Sequence, residues 1–265
     1  MTTGSPVISA DSHIQEPLEL YEERLPKKYR HRTPRTMTDS DGAVYRVIDG
    51  KRPRRIDIAE SRLNEDDQNR EFRGDPSGGR DIRKRLSDQD RDGICAEVIY
   101  PNQSLFLYNS PDSGYQLALA TAYNTWLWEL LAVDKDRFVP VAIVPVANLD
   151  GAATEAHRVA KLGYRALKIP ITMADRPYND PAYTPFWAIC EDAGLVVSFH
   201  AFSNSDDRYP EDWGEQDGTG GALNLMAMSM IDGMNPVSLL ISSGTLMRHP
   251  NLKFVVVECG AGWLA

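Results

Sequence analysis

Asp11, His13 and Glu16 crowd into "VISADSHIQEP" (residues 7–17), directly after an apolar run and directly before a helix-breaking proline. Two residues apart on an extended strand, Asp11 and His13 point to the same side, where a carboxylate oxygen and an imidazole nitrogen can share one divalent ion. Glu16, next to Pro17, fits a turn-fixing or supporting contact. Three more groups interrupt apolar runs: Lys168 in "ALKIP", His200 in "VVSFHAF" and Glu258 in "KFVVVECGAGW". An imidazole or carboxylate closing a buried apolar strand needs a partner or a ligand. For His200 the competing account is a hydrogen-bonded core histidine; for Lys168 and Glu258 it is a buried ion pair. Asn102 stands at a comparable place after "VIYP". His31, His157 and His249 lie in polar or pre-proline contexts, and simple solvation accounts for them.

The elements that must position these groups are six short apolar segments, at 7–10, 97–100, 138–147, 165–171, 196–202 and 253–259, with helical sequence between them. Such alternation implies a parallel sheet. "FVPVAIVPV" and "KFVVVE" are apolar on both faces, as strands covered by helices must be. "GYQLALATAYNTWLWELLAV" sets Leu119, Tyr123, Trp126, Leu127, Leu130 and Leu131 on one helical stripe. A second helix runs from Gly151 to Lys161 and stops at Gly163, and another spans Tyr183 to Asp192. In parallel α/β folds ligands bind at the carboxyl ends of the strands, and that is where Asp11, His13, Asn102, Lys168, His200 and Glu258 fall. Residues 31–80 break the rhythm as a polar excursion after strand one, with a hairpin signal at Asp49-Gly50.

Composition narrows the class of function. The 265 residues carry a net charge of −9, with 42% hydrophobic and 25% charged residues, values of a folded globular protein that lacks the basic face a nucleic-acid binder needs. Three widely spaced cysteines give no disulfide framework. No signal-peptide pattern and no run of about 18 apolar residues occurs, so the expectation is a cytoplasmic protein without a membrane span. Serine-hydrolase, dinucleotide and P-loop signatures are absent from the sequence.

"ADSHIQEP", "GYRALKIP", "VVSFHA" and "HPNLKFVVVECGAGWL" resemble the amidohydrolase-related family, the amidohydrolase-superfamily branch that includes aminocarboxymuconate-semialdehyde decarboxylase and resorcylate-type decarboxylases. The resemblance implies a (β/α)8 barrel of TIM type and one divalent metal, zinc or manganese, with iron as a further option. It makes Asp11 and His13 the first-strand ligands and His200 the fifth-strand ligand. Glu258 falls where related decarboxylases place a sixth-strand histidine, in a role as ligand, base or substrate contact. The family continues through two more βα units to a late aspartate ligand. The chain shows about six units, so the expectation is a single domain over 1–265 whose last two units lie beyond Ala265, with 31–80 as a lid or dimer arm. Expected chemistry is hydrolysis or non-oxidative decarboxylation of a small carboxylic acid, ester or thioester. His200, Glu258 and Lys168 are then catalytic, and Asn102, Phe202 and Trp263 contact substrate. Tyr100, Phe106, Tyr108 and Trp213 add to an aromatic lining suited to an aromatic acid. A homodimer follows from the same resemblance, and the alternative is a degenerate barrel serving as a binding or scaffold protein.

Overall fold

Six strands form one parallel sheet in the computed structural model, which describes residues 5–17, 19–49, 53–55, 76–102, 104, 107–108, 110–173, 175–203 and 219–263. In chain order these strands are β1 (Val7–Ile14), β5 (Ile94–Pro101), β6 (Phe138–Ile143), β7 (Ala166–Ile169), β8 (Val196–His200) and β9 (Lys253–Val257), and their order in the sheet is the same. The helices between them are α2 (Ile82–Asp92), α3 (Ser113–Leu130), α4 (Leu149–Leu162), α5 (Thr184–Asp192), α6 (Thr219–Ser242) and the short α7 (Thr245–Arg248). Among the described residues no helix is long and apolar enough to cross a membrane.

Local chemistry sets the helix ends. Asn148 caps α4 by accepting from the Gly151 N–H, and Gly163 closes it at φ +111°, where a side chain would also strike the Trp128 ring at 2.7 Å. On α3, Leu119, Tyr123 and Leu127 are wholly buried, as their spacing predicts, while Trp126 and Leu130 are only partly covered. The outer face of the sheet packs with these helices into the main core. The inner face holds a smaller cluster of Tyr100, Val141, Ala166 and Val257.

The sheet curls. β1 and β8 are four strands apart, about 19 Å in a flat sheet, yet Asp11 Oδ1 lies 3.5 Å from His200 Nε2. Likewise the Tyr100 hydroxyl on β5 meets Ser198 Oγ on β8 at 2.6 Å. Six βα units therefore make most of the wall of a TIM-type barrel, with the inner residues facing one another across it.

Between β1 and α2 lie α1 (Glu19–Arg24) and, within the 31–80 excursion, an antiparallel sheet of β2 (Arg35–Thr38), β3 (Val44–Val47) and β4 (Arg54–Arg55). β3 and β4 pair antiparallel through Arg46–Arg54; Gly50 of the expected Asp49-Gly50 turn lies outside the described residues, as do residues 51–52 and 56–75. Arg32 ties this unit to the barrel. Its guanidinium donates to Asp49 and Asp112 at 2.6 Å each and stacks on the Tyr115 ring, its centre 4.2 Å away. Arg32→Ala is expected to lower stability by about 1–2 kcal/mol, because two charge-assisted bonds and a cation–π contact vanish together. Urea midpoints of the two proteins check it.

Candidate metal centre

β1 and β5 are out of step. Ser9 pairs with Glu97 but Ser12 pairs with Ile99, so β1 spends three residues where β5 uses two, and the bulge falls at Ala10–Asp11. Bulges bend a strand and re-aim side chains beside active sites. Strand one was expected to end at residue 10, yet it continues to Ile14 and carries Asp11 and His13 within it.

Those two residues meet His200, the last residue of β8, and Glu258, the first after β9. One ligand atom from each of the four lies within 4.8 Å of all the others. His13 Nε2 is 3.5 Å from Asp11 and 3.7 Å from Glu258; His200 Nε2 is 3.5 Å from Asp11, and its Nδ1 is 3.9 Å from Glu258 Oε2. Tetrahedral ligands about 2.0–2.1 Å from one zinc ion stand about 3.4 Å apart, so the spacing is that of donors around a common cation.

The tautomers agree. His13 Nδ1–H donates to the Pro101 carbonyl at 2.8 Å and His200 Nδ1–H to the Ala201 carbonyl at 2.9 Å, which leaves both Nε2 lone pairs directed at the carboxylates. Such backbone contacts fix a ligating imidazole. His200 is fully buried, and its Nε2 has no hydrogen-bond partner among the described residues. An orphaned nitrogen at that depth is costly unless a cation meets it. Two carboxylates facing two neutral imidazoles also leave a double negative charge for a dication to balance.

Electrostatics show the same pull. Burial works to raise the Asp11 carboxyl, but the His13 and His200 rings beside it prevail and hold it well below the usual carboxylate range. Burial likewise opposes a charged His13, yet Asp11, the Pro101 carbonyl and Glu258 raise its pKa above the ordinary imidazole value. A proton on His13 stands where a metal ion's charge would otherwise act.

Glu258 adopts φ +59°, a left-handed conformation that a non-glycine residue keeps only when its surroundings impose it. Glu258→Gly is therefore expected to stabilise the apoprotein by about 1 kcal/mol while weakening metal binding. Denaturant midpoints and metal titration measure the two effects separately.

Not every candidate joins the quartet. Lys168 is wholly buried on β7, its Nζ 3.5 Å from the Tyr108 hydroxyl and 4.5 Å above the centre of that ring, with no hydrogen bond or ion pair to the four among the described residues. The competing account, a Lys168–Glu258 ion pair, is not formed among the described residues: Glu258 sits with the histidines, and the acid that acts on Lys168 is Glu16. Glu16 fixes the turn, accepting from the Asn102 and Ser104 N–H groups. Trp263 donates to the Cys259 carbonyl, and Phe202 is a second left-handed residue at φ +63°. Phe106 and Trp213 lie outside the described residues. Tyr100, by contrast, lies under the site, its ring centre 5.0 Å from that of His200. His249 corrects an expectation: it is buried, not solvated, and its Nδ1 meets Glu191 at 2.9 Å, because the chain before β9 folds back on the end of α5.

Solved structures share the architecture. An amidohydrolase of Mycobacterium avium subsp. paratuberculosis K-10 aligns with a TM-score of 0.78 at 22% identity, over 99% of this chain and 74% of that one. The 5-carboxyvanillate decarboxylase of Sphingomonas paucimobilis aligns at TM-score 0.60 and 21% identity, over 95% of this chain and 67% of that one. A dihydroxybenzoic acid decarboxylase of Polaromonas sp. JS666, solved with manganese and 2-nitroresorcinol, aligns at 0.58 and 18% identity, over 96% of this chain and 65% of that one. This chain thus spans less than two thirds of the last protein's length. The sequence pattern of the amidohydrolase family matches residues 112–265, more than half of the chain and including His200 and Glu258. The chain belongs to the amidohydrolase family.

Proposed function

We propose that this protein is a metal-dependent enzyme, a non-oxidative decarboxylase or a hydrolase, acting on a small carboxylic acid, ester or thioester. The observation that carries the reading is the quartet of Asp11, His13, His200 and Glu258, with the buried His200 Nε2 left for a ligand bond. Asp11, His13 and His200 would hold the ion, with Glu258 beside them. The donor set has two nitrogens and two carboxylates and no thiolate, which suits zinc or manganese. When bound, such an ion supplies Lewis acidity toward a substrate oxygen.

The chain's own groups divide the remaining work. His13 and His200 keep their Nδ1 protons on backbone carbonyls, so neither is a free proton shuttle through that atom. Glu258 is the most exposed of the four, its side chain 38% accessible, and is the group placed to carry a proton. In decarboxylation the carbon–carbon bond breaks, its electron pair stays on the substrate carbon, and that carbon takes a proton delivered through Glu258. In hydrolysis Glu258 would instead take the proton of the attacking water. Lys168 is assigned to the substrate's anionic end, and Asn102, Phe202 and Trp263 to its flanks. The decarboxylases of the same fold support an aromatic acid as substrate, and a homodimer with residues 31–80 as lid or arm is proposed on the same footing.

Zinc- and manganese-loaded protein offered a panel of hydroxybenzoates and a panel of aryl esters and thioesters tests the reading. Carbon dioxide release without acid release from esters identifies the decarboxylase, and the reverse identifies the hydrolase. Turnover of neither panel, together with metal content below about a tenth of an equivalent, would show a binding or scaffold protein that has kept the barrel.

A further inference from the structure

Asp11 and His13 reach the quartet only while the bulge in β1 keeps its place, because a register one residue out would turn both side chains to the other face of the sheet. The two residues that flank the bulge, Ser9 and Ser12, join their hydroxyls across it at 2.8 Å. That link ties the strand to itself. It does not tie the bulge to anything outside β1.

Arg85, buried on α2, supplies the outside hold. Three of its nitrogens go to three separate segments: Nε donates to the Gly78 carbonyl in the turn Pro76–Gly79 and Nη1 to Glu97 on β5, both at 2.9 Å, and Nη2 donates to the His13 carbonyl on β1. Glu97 is the partner of Ser9, the residue before the bulge, and His13 is the second residue after it. The guanidinium thus spans the bulge, from β5 on one side to β1 on the other. The same turn holds the chain just past β1, where the Gln15 N–H donates to the Gly79 carbonyl at 2.8 Å. With Arg85 on the His13 backbone and the Pro101 carbonyl on its ring, both the place of this histidine and the direction of its Nε2 are set. A lysine carries the same charge, but all its donors sit on one nitrogen, so it cannot meet a carboxylate and two carbonyls in three fixed directions.

We propose that Arg85 is a positioning residue of the metal centre: it locks the bulge of β1 and so sets where Asp11 and His13 stand in the quartet. It acts through these two residues and touches neither ion nor substrate. This role rests on the reading of the quartet as a metal site.

Arg85→Lys and Glu97→Gln separate the role from that of an ordinary buried ion pair. Lysine keeps a charge opposite Glu97 and gives up the span to His13. Glutamine at position 97 loses the ion pair but still offers Arg85 an acceptor oxygen, so the hold on the His13 carbonyl stays. Competition with a chromophoric chelator reads zinc affinity, the visible absorption of cobalt-loaded protein reads ligand geometry, and urea midpoints read the fold of each apoprotein. Arg85→Lys is expected to bind zinc at least about tenfold more weakly than the parent, as loss of a supporting partner does, and to alter the cobalt spectrum. Glu97→Gln is expected to keep the parent's zinc affinity and spectrum even where its urea midpoint falls as far as that of Arg85→Lys. Affinity and spectrum unchanged in Arg85→Lys would overturn the proposal. So would equal losses in both variants, which would show an ion pair that holds only the fold. Should Arg85→Lys fail to fold, Arg85→Met combined with Glu97→Gln removes both charges together and is expected to show the same loss relative to Glu97→Gln alone. His200→Ala leaves Arg85 untouched and reports on the quartet separately: a parent that takes up no zinc would overturn the metal centre itself, and the role of Arg85 with it.

Discussion

His200→Ala is expected to weaken zinc or manganese binding by more than about 100-fold, because loss of a mere supporting partner already weakens metal sites by about 10–100-fold. The far-UV circular dichroism should hardly change. His200 is the last residue of β8, and its backbone stays paired with β9 whatever side chain it carries. Truncation opens a small cavity and loses the bond from Nδ1 to the Ala201 carbonyl, but it also removes a buried nitrogen that nothing in the described protein satisfies. His249→Ala is the control. His249 is similarly buried, and its Nε2 likewise has no partner among the described residues, but the acid it meets is Glu191 on α5 and not a member of the quartet. Metal content measured after gel filtration should therefore fall for His200→Ala and hold for His249→Ala. Loss in both, or in neither, would show that the quartet does not bind the ion.

The contrast between these two histidines marks how far the sequence could be read. His200 was legible because it closes an apolar run, and a strand buried on both faces leaves a polar side chain few explanations. His249 was not, because its partner Glu191 is 58 positions away and the local context, a histidine before Pro250, resembles a solvated turn. The six parallel strands were legible for the same reason as His200: each is a short apolar run between helical segments. The length of β1 was not, since Asp11 and His13 interrupt the hydrophobic pattern that identifies a strand, and functional residues are where local pattern and fold conflict. The bulge that aims Asp11 belongs to the pairing of β1 with β5 and cannot be seen in either strand alone. In the excursion the Asp49-Gly50 signal runs into Gly50, outside the described residues, whereas the turn between β2 and β3 has a signal of its own. Asp39 builds it by accepting from the Asp41 and Ala43 N–H groups, a use of "DSDG" that the sequence did contain.

Lys168→Met is expected to lower turnover by about 100-fold or more, the usual size of a lost acid–base or charge contact to substrate, and yet to leave the protein at least as stable. Lys168 has no accessible surface, and among the described residues its ammonium is in contact with the Tyr108 ring and hydroxyl. Burial pushes its pKa well below the ordinary lysine value, and the attraction of Glu16 only partly opposes that. The direction fixes how stability depends on pH. The unfolded chain holds the lysine proton up to the ordinary value of about 10.4, whereas the folded chain releases it earlier, so in the interval between the two the unfolded state binds more protons. Stability supplied by the neutral amine therefore rises with pH through that interval, and below the folded pKa the full cost of a buried charge is present. Methionine has nearly the same length and no proton to lose, so its advantage over Lys168 should be largest near about pH 7 and shrink toward about pH 10. Urea midpoints of both proteins across that range measure the difference directly. Glu16 does not lose its role in the variant, because the Asn102 and Ser104 N–H groups still hold its carboxylate. A stability difference that stays flat with pH would mean that the folded lysine keeps its proton through a pairing stronger than the one Glu16 provides. Unchanged turnover with the expected pH slope would place Lys168 in the architecture of the barrel and outside its chemistry.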